Sequence, residues 1–268
     1  MLRARSAVVL SVLMLAANGF VGAAQTRTGR SGDGCDSGWN DSRASYCEVR
    51  EETIGGSALL DIDPGGNGGI KITGWDRGDV LVRSTVRGWG DTDADARRMV
   101  AGVQIETAAH IRAHGPESGR GESWSVQFDI HVPRQAQLAL NTHNGGISID
   151  GFRGIAEFRA VNGGVTLRNV GGDIKGETTN GGLTIDLTGD RWEGMGLDVS
   201  TRNGGIKLTL PERYSAELET GTVNGRISTD FPIMVQGRLN RELHTTLGGG
   251  GVKIRAMTTN GGVTISRR

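Results

Sequence analysis

Asp150, Asp186 and Asp230 each close a short alternating stretch: "GISID" at 146–150, "GLTID" at 182–186 and "RISTD" at 226–230. Carboxylates recurring at one place on successive strands are the groups a polysaccharide lyase or hydrolase on a β-helix would use, one as acid and another as base or nucleophile. Such chemistry needs two carboxylates in a cleft, and nothing in the sequence marks one. The neighbours supply counter-charges instead. Aligned by repeat, one column reads Asp150, Arg168, Asp186 and another Glu157, Lys175, Asp198. Alternating charge suits cross-strand pairing. Each Asp therefore reads as half of a charge column, and no catalytic residue is assigned.

Other reactive types are scattered. His110, His114, His131, His143 and His244 share no ligand spacing, and no "GxSxG" or other nucleophile signature is present. "DTDADARRMVAG" at 91–102 carries Asp at positions one, three and five of a calcium loop. It has Ala96 where that loop needs Gly and Gly102 where it needs Glu. It reads instead as a short helix over about 91–101, with Asp91 near its cap. Cys35 and Cys47 without nearby His make half a zinc site at best, so a disulfide is the expected pairing. No metal and no cofactor is predicted.

Binding chemistry is better represented. The loops "DLTGDRWEGMG" at 186–196 and "TLPERYSA" at 209–216 place Arg191 beside Trp192 and Arg213 beside Tyr214. Aromatic rings flanked by guanidinium groups can stack on sugars or anchor a protein. These four residues are the predicted binding edge, with Trp192 and Tyr214 exposed. Phe152 and Phe231, in neighbouring loops, read as closing the ends of the core.

The elements that position these loops are legible in a repeat. Asn-Gly-Gly stands at Asn67, Asn144, Asn162, Asn180, Asn203 and Asn260, with a worn copy, Asn-Gly-Arg, at Asn224. After each turn comes an alternating strand whose first residue is Ile147, Val165, Leu183, Ile206, Ile227, Val252 or Val263. Two positions on, the residue is again apolar in all but one copy. Period two puts these positions on one face. A second strand precedes each turn. A hairpin meander would explain Asn-Gly, but not the same residue at the same place in every copy. Stacked coils do, because each side chain then meets its equivalent about 4.8 Å away. The predicted fold is an all-β parallel solenoid, β-helix-like. Asn144, Asn162, Asn180, Asn203, Asn224 and Asn260 are expected to stack at its corners in chain order, and corner Gly to supply positive φ.

Composition agrees. Gly makes up 45 of 268 residues without a Gly-X-Y period, which excludes collagen. Arg3 and Arg5, an apolar run from Ala7 to Ala17 and small residues before Ala24 read as a secretory signal over 1–24. Its removal leaves 28 basic and 30 acidic residues, net −2. That balance gives no reason to expect nucleic acid, and no later stretch is apolar enough to span a membrane. A Cys-containing segment at 25–56 is followed by a β-rich part with the short helix at 57–137. The Asn-Gly-Gly solenoid occupies 138–268.

The chain resembles the bacterial "putative adhesin" family over roughly 48–268. The resemblance is carried by "CEVREETI", "GGIKITGWDRGDVLVRSTVRGW", "FDIHVPRQAQLALNTHNGGISIDGFRG" and the coils down to "TTNGGVTISRR". It implies an exported β-helix-like protein and brings no catalytic residues. The expected role is non-catalytic: adhesion, scaffolding or ligand capture at the cell envelope, with a glycan or an envelope protein as partner. The location would be periplasmic or at the cell surface. The alternatives are a polysaccharide-active enzyme on the same fold and an envelope-stress sensor partnering a membrane protein.

Overall fold

The computed structural model describes residue 35 and residues 43–57, 59–108, 110–230 and 241–268. The predicted signal segment and Phe231 lie outside the described residues. The order is β1 (Ala44–Gly55), β2 (Leu60–Asp63), β3 (Ile70–Trp75), β4 (Asp79–Gly90), α1 (Asp93–Gly102), β5 (Gln104–Thr107), β6 (His110–His114) and β7 (Ser123–Pro133). Strands then come in pairs about each corner. These are β8 (Gln137–Asn144) with β9 (Ile147–Asp150), β10 (Ile155–Asn162) with β11 (Val165–Arg168), and β12 (Asp173–Asn180) with β13 (Leu183–Asp186). After them come β14 (Gly196–Asn203) with β15 (Ile206–Leu210) and β16 (Ala216–Asn224) with β17 (Ile227–Thr229). The chain ends with β18 (Glu242–Leu247), then β19 (Lys253–Asn260) and β20 (Val263–Arg267).

The strands before and after the corners build two ten-stranded sheets. Their orders are β1-β4-β7-β3-β9-β11-β13-β15-β20-β17 and β18-β16-β19-β14-β12-β10-β8-β2-β6-β5. Pairing is parallel through the middle of both and antiparallel only for β1/β4, β4/β7, β5/β6 and β16/β18. The molecule is thus mostly β, with one helix among the described residues and a solenoid-like stack of coils. Chain order and stacking order differ at one end. The last coil, β19–β20, lies between β14–β15 and β16–β17.

Register explains the core. Ile70, Ile147, Val165, Leu183, Ile206, Val263 and Ile227 lie side by side in one row, and all but the last are buried. The facing sheet stacks Leu60, Leu138, Ala156, Ile174, Leu197, Ile254 and Leu218. Volume is matched between neighbours: a Cβ on Gly176 would overlap the Phe158 ring, so the small residue makes room for the large one.

The corners follow a different rule from the one expected. Gly145, Gly163, Gly181 and Gly204 are not in a positive-φ conformation; of the first corner glycines only Gly68 and Gly261 are. The demand is one of space. A Cβ on Gly163 would overlap the Gly145 carbonyl of the coil below, and one on Gly181 the Gly163 carbonyl. The second glycine is tight in the other direction: a Cβ on Gly146 would stand 3.0 Å from the Gly164 oxygen of the next coil. Arg226 takes that second place in the copy at Asn224, where β17 is the outermost strand of its sheet. With no described strand beyond it, a side chain fits.

Helix α1 starts at Asp93, two residues later than expected. Thr92, not Asp91, is the cap: its hydroxyl accepts from the Asp95 N–H, and the Asp95 carboxylate accepts from the Thr92 N–H.

Candidate binding groove

The predicted binding edge does not present its rings. Trp192 is 4% exposed and its indole N–H donates to the Gly172 carbonyl at 3.0 Å. Tyr214 is 3% exposed, and burial pushes its phenol above the ordinary range. The two loops do meet, through a bridge between Arg191 and Ser215 and a 2.7 Å bond from the Ser215 N–H to the Asp190 carbonyl. Their rings turn inward because both join the apolar cluster between the sheets. Covering that core is worth more than solvating a flat ring. Arg191 and Arg213 stay exposed, with Arg191 3.5 Å from Asp190. The expected exposed aromatic pair is thus replaced by two core residues, as Phe152 also is.

The three carboxylates fall at the same end of their strands. Asp150, Arg168 and Asp186 are adjacent in register. Arg268 lies 3.1 Å from Asp186, and Asp230 accepts the Arg267 N–H at 3.2 Å. Among the described residues no group of three or more His, Cys, Asp or Glu side chains is placed to hold a metal.

The outer face of the β8–β16 sheet is a shallow depression of about 660 Å³. Glu157, Lys175, Asp198, Arg255 and Glu219 form one row across it. Arg159 pairs with Glu177 at 3.0 Å and Arg255 with Asp198 at 2.8 Å. Both signs are present and largely paired off, which leaves little to select a ligand.

A larger groove, about 760 Å³, lies where the N-terminal ribbon meets the corner ridge. In β4 burial alternates strictly, so Thr85, Arg87 and Trp89 share the less buried face. Small residues sit opposite Trp89: Ser45 in β1 and Ser123 in β7. One wall is thus Thr85, Arg87 and Trp89 with Ser123, Ser125 and Gln127, and Arg43 stands at the margin. The other wall is the ridge: Asn67, Asn144 and Asn162, with Gly68, Gly69, Gly145 and Gly146. The disulfide lies beside the first wall. Cys35 and Cys47 are bonded, Cys47 pairs opposite Arg87, and Arg87 Nη2 donates to the Cys35 carbonyl at 3.2 Å.

The ridge itself is a ladder of amides. Asn144 donates to Asn67, Asn162 to Asn144, Asn180 to Asn162, Asn203 to Asn180, Asn260 to Asn203 and Asn224 to Asn260, all Nδ2 to Oδ1 at 2.8–3.0 Å. These side chains are exposed. A buried companion ladder runs beside them. Thr178, Thr201, Thr258 and Thr222 donate their hydroxyls to Gly163, Gly181, Gly204 and Gly261 of the adjacent coil. This ladder was missed in the sequence, although Thr two residues before Asn is visible at Thr178, Thr201, Thr222 and Thr258 and could have marked it. The groove had a weaker signal: Arg87 and Trp89 alternate with Val86 and Gly88, but which side faces the ridge is set by pairing alone.

The family model Toastrack DUF4097 matches residues 75–266, most of the chain. This chain belongs to the Toastrack DUF4097 family. The match begins at Trp75 and takes in β4 and β7 as well as the coils. Solved structures similar to this Toastrack chain include a "putative cell adhesion protein" from Clostridium sporogenes. It shares 13% identity at a TM-score of 0.39, over 82% of this chain and 100% of that one. A "putative adhesin" from Bacteroides fragilis shares 14% at 0.32, over 82% and 97%. A "putative lipid binding protein" from Parabacteroides distasonis shares 11% at 0.38, over 81% and 96%. No curated protein matches the chain. Among the described residues no helix is long and apolar enough to cross a membrane.

Proposed function

We propose that this Toastrack protein is exported by its 1–24 signal, has no catalytic role, and works at the cell envelope as a rigid ligand-binding scaffold that captures a glycan. The observation that carries this reading is the groove between Trp89 and the asparagine ridge. It combines indole surface, two guanidinium groups and a bank of amide and hydroxyl groups, the mixture that sugar rings and their hydroxyls require. The carboxylates that a polysaccharide-active enzyme would use stand in rows beside basic groups rather than across a cleft. The test uses the mature chain on a glycan array and on isolated envelopes. Trp89→Ala should weaken binding at least tenfold with little change in melting temperature, and Trp89→Phe should restore part of it. Undiminished binding by Trp89→Ala, or turnover of a polysaccharide by the native chain, overturns the reading.

A further inference from the structure

We infer that Asn224 is a site of spontaneous backbone modification: its side-chain amide is lost through a cyclic imide closed by the Gly225 nitrogen, while the coil stack protects the other Asn-Gly corners. The inference stands apart from the groove. Asn-Gly is the dipeptide in which this reaction meets least hindrance, because no Cβ shields the glycine nitrogen and its backbone turns freely. The Gly225 nitrogen gives up its proton and attacks Asn224 Cγ. A C–N bond forms, the Cγ–Nδ2 bond breaks, and ammonia leaves. Water then opens the imide at either carbonyl, which yields aspartate or its β-linked isomer. The reaction needs two things: a glycine nitrogen free to lose its proton, and a side-chain amide free to swing onto it.

Six corners deny both. Gly68, Gly145, Gly163, Gly181, Gly204 and Gly261 each donate their N–H to the Asn carbonyl of the adjacent coil at 3.0–3.1 Å. The asparagine before each of them is also pinned through Oδ1, which accepts from the Nδ2 of the next asparagine in the ladder. Asn224 closes the row. β17 is the outermost strand of its sheet, and β18 pairs with β16 only as far as Gly221. The Gly225 N–H therefore donates to no described residue, and Asn224 Oδ1 accepts from none. The side chain keeps one bond, from Nδ2 to Asn260 Oδ1 at 2.8 Å, and that nitrogen is the leaving group. Gly225 is exposed, whereas the first glycine of each other corner is half-buried, so water has access to the imide. The β-linked product lengthens the main chain by one carbon between β16 and β17, and in either product Asn260 loses its donor.

The experiment incubates the mature chain in neutral and in mildly alkaline buffer and follows each Asn-Gly corner by peptide mapping, with synthetic aspartyl and isoaspartyl peptides as standards. In the folded chain Asn224 should convert at least tenfold faster than any other corner, faster in the alkaline buffer, and to both products. In concentrated urea all the corners should convert at rates within about threefold of one another, because the stack that separates them is gone. Arg226→Gly restores Asn-Gly-Gly at this corner and should leave Asn224 the fastest, since its place at the end of the stack sets the rate. Three results would each overturn the inference. Asn224 could persist in the folded chain over a period in which the denatured chain converts. A second corner could convert as fast as Asn224 in the folded chain. In Arg226→Gly, Asn224 could fall to the rate of the other corners, which would assign its lability to the following arginine.

Discussion

Arg255 Nη1 lies 2.8 Å from Asp198 Oδ1, although 57 residues separate them in the chain. Arg255 Nε lies 3.0 Å from Glu219 on the other side. One cation thus stands between two carboxylates because the final coil is inserted between β14 and β16. Stacked in chain order, Asp198 and Glu219 would have been direct neighbours of like charge. Arg255→Glu should therefore destabilise the fold by about 1 kcal/mol or more, since it lines up three acids in one row. Urea denaturation measures this, and a midpoint unchanged from the native chain would count against the charge row as a determinant of coil order.

Glu219 makes the same junction sensitive to acid. The hydrogen bond from Lys253 holds its carboxyl below the ordinary value of 4.5; burial opposes this, and Arg255 adds to it. A carboxyl lowered in the folded state contributes stability that is present above its ordinary pKa and is lost as pH falls through the lowered one. Melting temperature should decline below about pH 4.5, and Glu219→Gln should flatten that decline. A variant whose acid limb superimposes on the native one would assign the loss to other groups.

Gly181→Ala tests the close approach of coils. The added methyl group would overlap the Gly163 carbonyl oxygen, and both neighbours are backbone. A loss of about 3 kcal/mol is expected, while Arg226→Ala on the outermost corner should stay within about 0.5 kcal/mol. Equal tolerance at both positions would mean that the stack opens readily.

Asn180→Ala removes two amide bonds, to Asn162 and from Asn203. The side chains are exposed, and the corner backbone is paired independently, Gly163 N–H to Asn180 O and Gly181 N–H to Asn203 O at 3.0 Å. The cost should be about 1 kcal/mol. Thermal unfolding decides between this and a structural requirement, which would appear as a loss above about 3 kcal/mol.

Trp192→Ala should behave as a core truncation. The ring is buried and its N–H is paired with Gly172, so a loss of about 3–5 kcal/mol is expected. Retained stability together with lost glycan binding would return this residue to the binding surface.

The sequence alone determined the local unit and its periodic faces. Alternation marked which residues point inward, and register pairs those same residues in rows, as with Ile147, Val165 and Leu183. Asn-Gly-Gly recurs in the sequence, and the register sets Asn162 beside Asn180 and Asn180 beside Asn203, so stacking asks these coils for the same residue at the same place. Three things were decided only by the tertiary structure. Coil order was one, since similar units can stack in more than one order, and only the assembled sheets set Arg255 between Asp198 and Glu219. The reason for the corner glycines was another, because a close approach between coils involves residues distant in the chain, whereas positive φ is a local property. Burial of Trp192 and Tyr214 was the third. A loop sequence shows an aromatic beside an arginine but not which side of the loop meets the core, and the open end between the two sheets exists only once they are assembled. The groove belongs with these: Trp89 and Asn67 come from separate elements, and pairing of β7 with both β4 and β3 brings them to one cavity.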